Sequence, residues 1–220
     1  SVASRGRGDV YKRQPRFVPT DGMFQLRIDA IREAINDKTR AVITTSPNNP
    51  TGAVYPEEAL REINALCRER GIHHISDEAY EYFSYDGAEG FSPGSIPDAG
   101  PHTISQYSLS KAYGFAGWRI GYMVIPETLL APIKKIQDTI LICPQVICQF
   151  AAVKAMEAGR AYCLEKRREI EFIRKILLAR LSQLGPHVTV GPAQGAFYVL
   201  LDIATDRHPL DVVRNLVEQY

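Results

Sequence analysis

Two short apolar runs separated by one helix-length segment constrain this chain most. Arg40–Thr45 (RAVITT) and Gly71–Ser76 (GIHHIS) have the length and apolar content of buried strands. Between them, Pro56–Arg70 carries Leu60, Ile63 and Leu66 on one face, with Cys67 beside them. Pro56 near the first turn, Glu57 and Glu58 behind it and Gly71 at the end mark where a helix starts and stops. Strand, helix and strand joined by short loops make a βαβ unit, and such a unit demands a parallel sheet. Thr103–Tyr107 predicts a third strand, and Ile120–Ile125, closed by Pro126, a fourth.

The remaining elements follow by periodicity. Leu26–Asn36 has its apolar residues near helical spacing and predicts a helix from about Asp29. Glu127–Ile142 and Gln145–Ala158 read as helices, Gly159 breaks the pattern, and Arg160–Leu184 reads as a long charged helix with a solvated face. Val188–Val190 and Ala196–Ile203 predict strands around a GPAQG turn, and Pro209–Tyr220 another helix. The fold class is therefore α/β: a mostly parallel sheet with flanking helices, followed by part of a smaller α+β unit. Ser1–Gln14 is basic, polar and aperiodic, and is set aside as a non-native or disordered lead-in.

Composition narrows the function by exclusion. The 220 residues hold 26 Lys+Arg against 25 Asp+Glu, a net charge of +1, which leaves no basic footprint for nucleic acid or an anionic membrane surface. No apolar run reaches the roughly 20 residues that span a bilayer. Cys67, Cys143, Cys148 and Cys163 form no C-x-x-C pair and no zinc-ligand spacing, so buried reduced thiols in a cytoplasmic protein are expected and no metal site.

In parallel sheets, ligands bind at the carboxyl ends of the strands. That is where the polar motifs fall. SPNNPTG, with Asn49, follows the first strand; DEAY, with Asp77 and Tyr80, closes the second; SLSKAYGFAGWRIGY follows the third, with Ser108, Ser110, Lys111 and Arg119. A lysine amine attacks carbonyls to form Schiff bases. Hydroxyls and an arginine fork suit a phosphate. Together they suggest pyridoxal 5′-phosphate, which carries both an aldehyde and a phosphate.

These motifs, in this order, resemble those of the class I/II aminotransferases, the fold-type I enzymes that depend on pyridoxal phosphate, over roughly Arg16 to Tyr220. The resemblance implies a partial cofactor-binding large domain over 15–165 and a partial small domain over 166–220. It implies that Lys111 joins the cofactor aldehyde, that Asp77 pairs with the ring nitrogen, and that Asn49 and Tyr80 bond the ring's 3-oxygen. Ser108, Ser110 and Arg119 would hold the phosphate; Lys111, Asp77 and Tyr80 would be the catalytic set. A carboxylate at about 4 Å contributes roughly 4 kcal/mol at an effective dielectric near 20, enough to keep the ring nitrogen protonated near neutral pH.

The implied activity is amino-group transfer from an L-amino acid to a 2-oxo acid, through a lysine aldimine and a ping-pong cycle, by a cytoplasmic homodimer. A carbon–sulfur lyase, a cyclising synthase and the aminotransferase-like sensor domain of a transcription regulator are the alternatives. The family's glycine-containing phosphate loop and ring-stacking aromatic find no match ahead of Pro15. Its carboxylate-gripping arginine finds none either, and neither Arg207 nor Arg214 sits in a matching motif. The sequence is thus expected to be a fragment lacking both ends, inactive by itself.

Overall fold

A computed structural model describes residues 14–219. Apart from Gln14, the expected lead-in lies outside the described residues. The first layer is a four-stranded sheet in sequence order, β1 (Ala41–Thr45), β2 (His73–Asp77), β3 (Thr103–Ser108) and β4 (Gly121–Val124). The first three strands are parallel; β4 returns antiparallel to β3. The register aligns Thr45 with Asp77 and Asp77 with Gln106, so Asp77 closes the strand between β1 and β3.

Helix α1 (Ile28–Ala34) and helix α2 (Glu57–Glu69) cover one side of this unit. Helix α2 buries Ile63, Leu66 and Cys67 against Ile31 of α1, Ile72 and Val42. Its acidic first turn complements the helix dipole. Gly71 stops it at φ +62°, a left-handed conformation that glycine adopts without strain. On the other side of the α2 contact, Asn64 enters a buried polar set with His74, Thr44, Thr103 and His102. The edge strand β1 leaves Ile43 68% exposed, and all of β4 is exposed.

After β3 come the single turn α3 (Leu109–Ala112), helix α4 (Leu130–Ile140) and the long helix α5 (Val146–Leu181). Gly159 interrupts α5 with φ 69° and ψ −171°, at the position where the sequence pattern breaks. Helix α5 runs through residues 165 and 166, the expected domain boundary. Strands β5 (Val188–Val190) and β6 (Leu201–Ile203) pair antiparallel, and α6 (Pro209–Gln219) closes the described chain.

Three expectations change. The strand expected over Ala196–Ile203 is regular only from Leu201, because residues 193–196 bond to distant loops instead of to a strand partner. Gly195 N–H donates to the Gly52 carbonyl (2.7 Å) and Ala196 N–H to the Phe83 carbonyl (2.8 Å). Ala193 and Ala196 adopt positive φ, which no strand tolerates. Second, the face of α5 is not wholly solvated. Arg174 is buried, donates to the Ala193 carbonyl (2.7 Å), pairs with Asp86 and lies over the Tyr85 ring. Third, Cys143 is exposed, while Cys67, Cys148 and Cys163 are buried, all four as free thiols. No helix among the described residues is long and apolar enough to cross a membrane.

Candidate active site at the strand ends

The SPNNPTG turn leaves β1 and is built by its own side chains. Asn48 Oδ1 accepts from the Thr51 hydroxyl (2.8 Å), and Asn48 N–H donates to the Ala53 carbonyl. Gly52 sits at φ +69°, where a Cβ would lie 2.8 Å from the Ala193 Cα. Only glycine lets the 193–196 segment approach this closely. The turn thereby projects Asn49, whose amide Nδ2 donates to the Tyr80 hydroxyl at 3.4 Å.

Asp77 ends β2, and its Oδ1 accepts the Ala79 N–H (3.1 Å), turning the chain so that Tyr80 follows on the same side. Tyr80 is buried against Phe83, Ala112, Cys163 and Ala196. Its hydroxyl lies 2.8 Å from that of Tyr198. Burial first, and then the Tyr198 hydroxyl, push the Tyr80 pKa above the usual tyrosine range, so the phenol keeps its proton.

Ser108 caps α3, its Oγ accepting from Ser110 N–H at 3.2 Å. Lys111 comes one step later, and its Nζ stands 5.7 Å from the Tyr80 ring centroid and 5.8 Å from that of Phe197. An amine this close to two aromatic rings gains cation–π attraction. Arg119 precedes β4, whose Gly121 pairs with Ser108. Its backbone is left-handed (φ 53°, ψ 50°), and its guanidinium turns back to donate to the Ala116 carbonyl (2.8 Å).

The structure therefore brings Asn49, Tyr80 and Lys111 together directly, with Asp77 at the start of the turn that carries Tyr80. Ser108 and Ser110 are joined at the base of Lys111, and Arg119 stands two residues before Gly121, the register partner of Ser108, with its side chain directed elsewhere. Phe197 and Tyr198 are two members that the sequence reasoning did not assign. Their signal was the stretch GAFY (Gly195 to Tyr198), an aromatic pair two residues after a glycine that docks on the N-P-T-G turn.

A cavity of about 1060 Å³ opens between the turn after Asp77 and helix α5, lined by Glu78, Glu81, Tyr85, Ser92, Arg160 and Arg167. Burial raises the Glu78 carboxyl above its ordinary value, although Ser92 donates to it at 2.9 Å. Burial and then the Glu78 charge push Glu81 up to about 7. The cavity wall includes none of Asn49, Lys111 or Tyr198, so it is separate from the strand-end cluster.

A lysine amine, a carboxylate and paired amide and phenol groups, gathered at the carboxyl ends of a parallel sheet, have the chemistry that suits a cofactor bearing an aldehyde on an ionisable ring. The chain belongs to the class I and II aminotransferase family, whose model matches residues 10–220. It is 37% identical to aromatic-amino-acid aminotransferase 2 of Thermococcus litoralis over 190 residues, 84% of this chain and 48% of that protein. It is 39% identical to the aspartate/prephenate aminotransferase of Thermus thermophilus over 177 residues, 79% of this chain and 45% of that protein.

Among solved structures, the Thermus thermophilus aspartate aminotransferase with maleate superposes with a TM-score of 0.83 at 35% identity, covering 91% of this chain and 53% of the other. The aromatic aminotransferase of Pyrococcus horikoshii gives 0.77 at 36% identity, covering 83% and 49%. The chain thus spans about half the length of the curated relatives it matches. Members of this family depend on pyridoxal phosphate. The donor set at the strand ends fits that group: an amine for the aldehyde, a carboxylate for the ring nitrogen, and Asn49 and Tyr80 for the ring oxygen.

Proposed function

We propose that the protein carrying this chain transfers the amino group of an L-amino acid to a 2-oxo acid, with Lys111, Asp77 and Tyr80 as its catalytic residues. The observation that carries the proposal is the convergence of Asn49, Tyr80 and Lys111 from three different strand ends onto one place. The named relatives act as aspartate, prephenate or aromatic aminotransferases, which favours transfer over lyase or sensor roles.

Pyridoxal phosphate, when bound, supplies the aldehyde that takes up the amino group and a ring that draws electrons from the substrate's α-carbon. Asp77 would hold the ring nitrogen's proton in place. Asn49 and Tyr80 would donate to the ring oxygen, and Ser108, Ser110 and Arg119 would receive the phosphate. For Arg119 this requires its guanidinium to leave the Ala116 carbonyl. Lys111 Nζ would remove the proton from the substrate's α-carbon as general base and deliver it, as acid, to the carbon that carries the cofactor's aldehyde. Tyr80 and Phe197 flank that amine, their ring centroids 5.7 and 5.8 Å from it. The residue ranges 15–165 and 166–220 would act as parts of a large and a small domain.

The protein is also taken to work as a cytoplasmic homodimer. The apolar surface from Ile140 to Phe150, with Ile142 73% and Phe150 69% exposed, supports an association. Light scattering on the purified protein tests it, with a monomer counting against.

The deciding experiment loads the protein with pyridoxal phosphate, reduces it with borohydride and maps the labelled peptide. The label is expected on Lys111, and amino transfer between an L-amino acid and a 2-oxo acid is expected to vanish in Lys111→Ala. A label fixed to another side chain would refute the assignment.

A further inference from the structure

We infer that Tyr198 is a positioning residue of this site, whose hydroxyl donates to the Tyr80 hydroxyl and so aims the single Tyr80 proton at the cofactor's ring oxygen. The inference rests on the proposed pyridoxal phosphate site and adds to it a residue from the far end of the chain.

The argument is a count of protons. A tyrosine hydroxyl has one hydrogen to give and two lone pairs to receive. Asn49 Nδ2 can only donate, so its 3.4 Å contact occupies one lone pair of the Tyr80 oxygen. The Tyr198 hydroxyl lies 2.8 Å from the same oxygen, and either partner can be the donor. If Tyr80 gave its proton to Tyr198, nothing would remain for the ring. If Tyr198 gives its proton to Tyr80, both lone pairs are filled and the Tyr80 hydrogen is free to point at a third atom. An anionic ring oxygen presented to Tyr80 selects the second arrangement, because it offers a strong acceptor. Chained hydrogen bonds of this kind also polarise one another, so Tyr80 becomes a better donor while Tyr198 donates to it.

The surroundings hold this geometry. The rings of Tyr80 and Tyr198 meet edge to face at 5.5 Å, and Phe197 contacts both at 5.3 and 5.1 Å. The preceding backbone is fixed at Gly195 by Gly52 and at Ala196 by Phe83. Tyr80 stays a neutral phenol under these conditions, as a donor must. Removing the Tyr198 hydroxyl therefore leaves the packing and deletes only the directing bond.

The test uses the protein loaded with pyridoxal phosphate and the pH titration of its Lys111-dependent absorbance band in the region of roughly 400 nm. Donors to the ring oxygen favour its anionic form and lower the titration midpoint; weakening them raises it. Tyr198→Phe should raise the midpoint by about half a unit to one unit, the size expected for one neutral hydrogen bond. Because Tyr198 acts through Tyr80, adding Tyr198→Phe to Tyr80→Phe should give no further shift. Should Tyr198→Phe fold poorly, 3-fluorotyrosine at position 198, a stronger donor, should lower the midpoint instead.

An unchanged midpoint in Tyr198→Phe, or an equal shift with and without Tyr80, overturns the inference while the site proposal stands. A wild-type protein with no Lys111-dependent band overturns the site proposal, and this inference falls with it.

Discussion

Replacing His74 by phenylalanine should remove one source of this fold's acid sensitivity. His74, on strand β2, is fully buried, and both ring nitrogens are committed. Its Nε2 lies 2.9 Å from the Thr44 hydroxyl, and its Nδ1 lies 3.2 Å from the Asn64 amide nitrogen. That amide nitrogen can only donate, so Nδ1 must accept and the ring must be neutral. A second proton would set donor against donor. Burial, and then the nearby His102, accordingly lower the His74 pKa from 6.5 to about 4.

A depressed histidine pKa stabilises the fold fully above the unfolded value and loses that contribution as pH falls to the folded one. Between 6.5 and about 4 the unfolded chain binds a proton here that the folded chain refuses, at a cost of about 3 kcal/mol by the acid end. Glu81 works the other way. Its raised pKa gives stability below its ordinary value of 4.5 that is lost as pH rises to about 7. The wild-type profile alone is therefore flattened, and the informative quantity is the difference between wild type and His74→Phe.

At pH 7 the variant should be less stable by about 1–3 kcal/mol, because Thr44 and Asn64 lose a partner. Toward pH 4 the gap should move about 3 kcal/mol in the variant's favour, closing or reversing it. Urea unfolding followed by circular dichroism at several pH values measures this directly. A gap constant to within about 0.5 kcal/mol across the window would refute the buried neutral tautomer.

Two further substitutions probe the segment that completes the site. At Gly195 a Cβ would lie 2.6 Å from Pro47 Cβ and 2.7 Å from Val54 Cγ2, so Gly195→Ala should cost about 1–3 kcal/mol in urea unfolding and weaken pyridoxal phosphate binding. Gly117→Ala, with nothing within 4 Å, is the control that should change little. Arg174→Met should destabilise by about 1–3 kcal/mol, since the Ala193 carbonyl loses its partner. The same change should let the Asp86 carboxyl, held low chiefly by the Arg174 hydrogen bond, titrate near its ordinary 3.8, which carbon-13 NMR would follow.

The βαβ half of the fold and its motifs were legible because local rules and tertiary packing agree there. The runs RAVITT and GIHHIS are short and apolar, and α2 has its start, stop and buried face written in Pro56, Gly71 and the Leu60–Ile63–Leu66 spacing. Each polar motif falls at a strand end, and in a parallel sheet those ends lie side by side. The second half obeys local rules less. Arg174 looks like its neighbours Arg167 and Arg168 in sequence, yet it is buried because Asp86, Ala193 and Tyr85 happen to face it. Cys143 lies in an apolar stretch that reads as core, but Ile140, Leu141 and Ile142 around it are exposed.

The 193–201 segment shows most directly why the remainder was hidden. AFYVLL has the composition of a strand, and a strand needs a neighbour along its whole length. Here the backbone of Gly195 and Ala196 is claimed by Gly52 and Phe83, two loops brought close only by the folded sheet. Those bonds tie the turn bearing Asn49 to the turn bearing Tyr80, and they set Phe197 and Tyr198 against Lys111 and Tyr80. A side chain added at Gly52 or Gly195 would thus disturb the amine's surroundings without touching the amine. The glycines belong to the chemistry of the site as much as its polar side chains do, because they decide how closely the segment carrying the aromatic pair can approach.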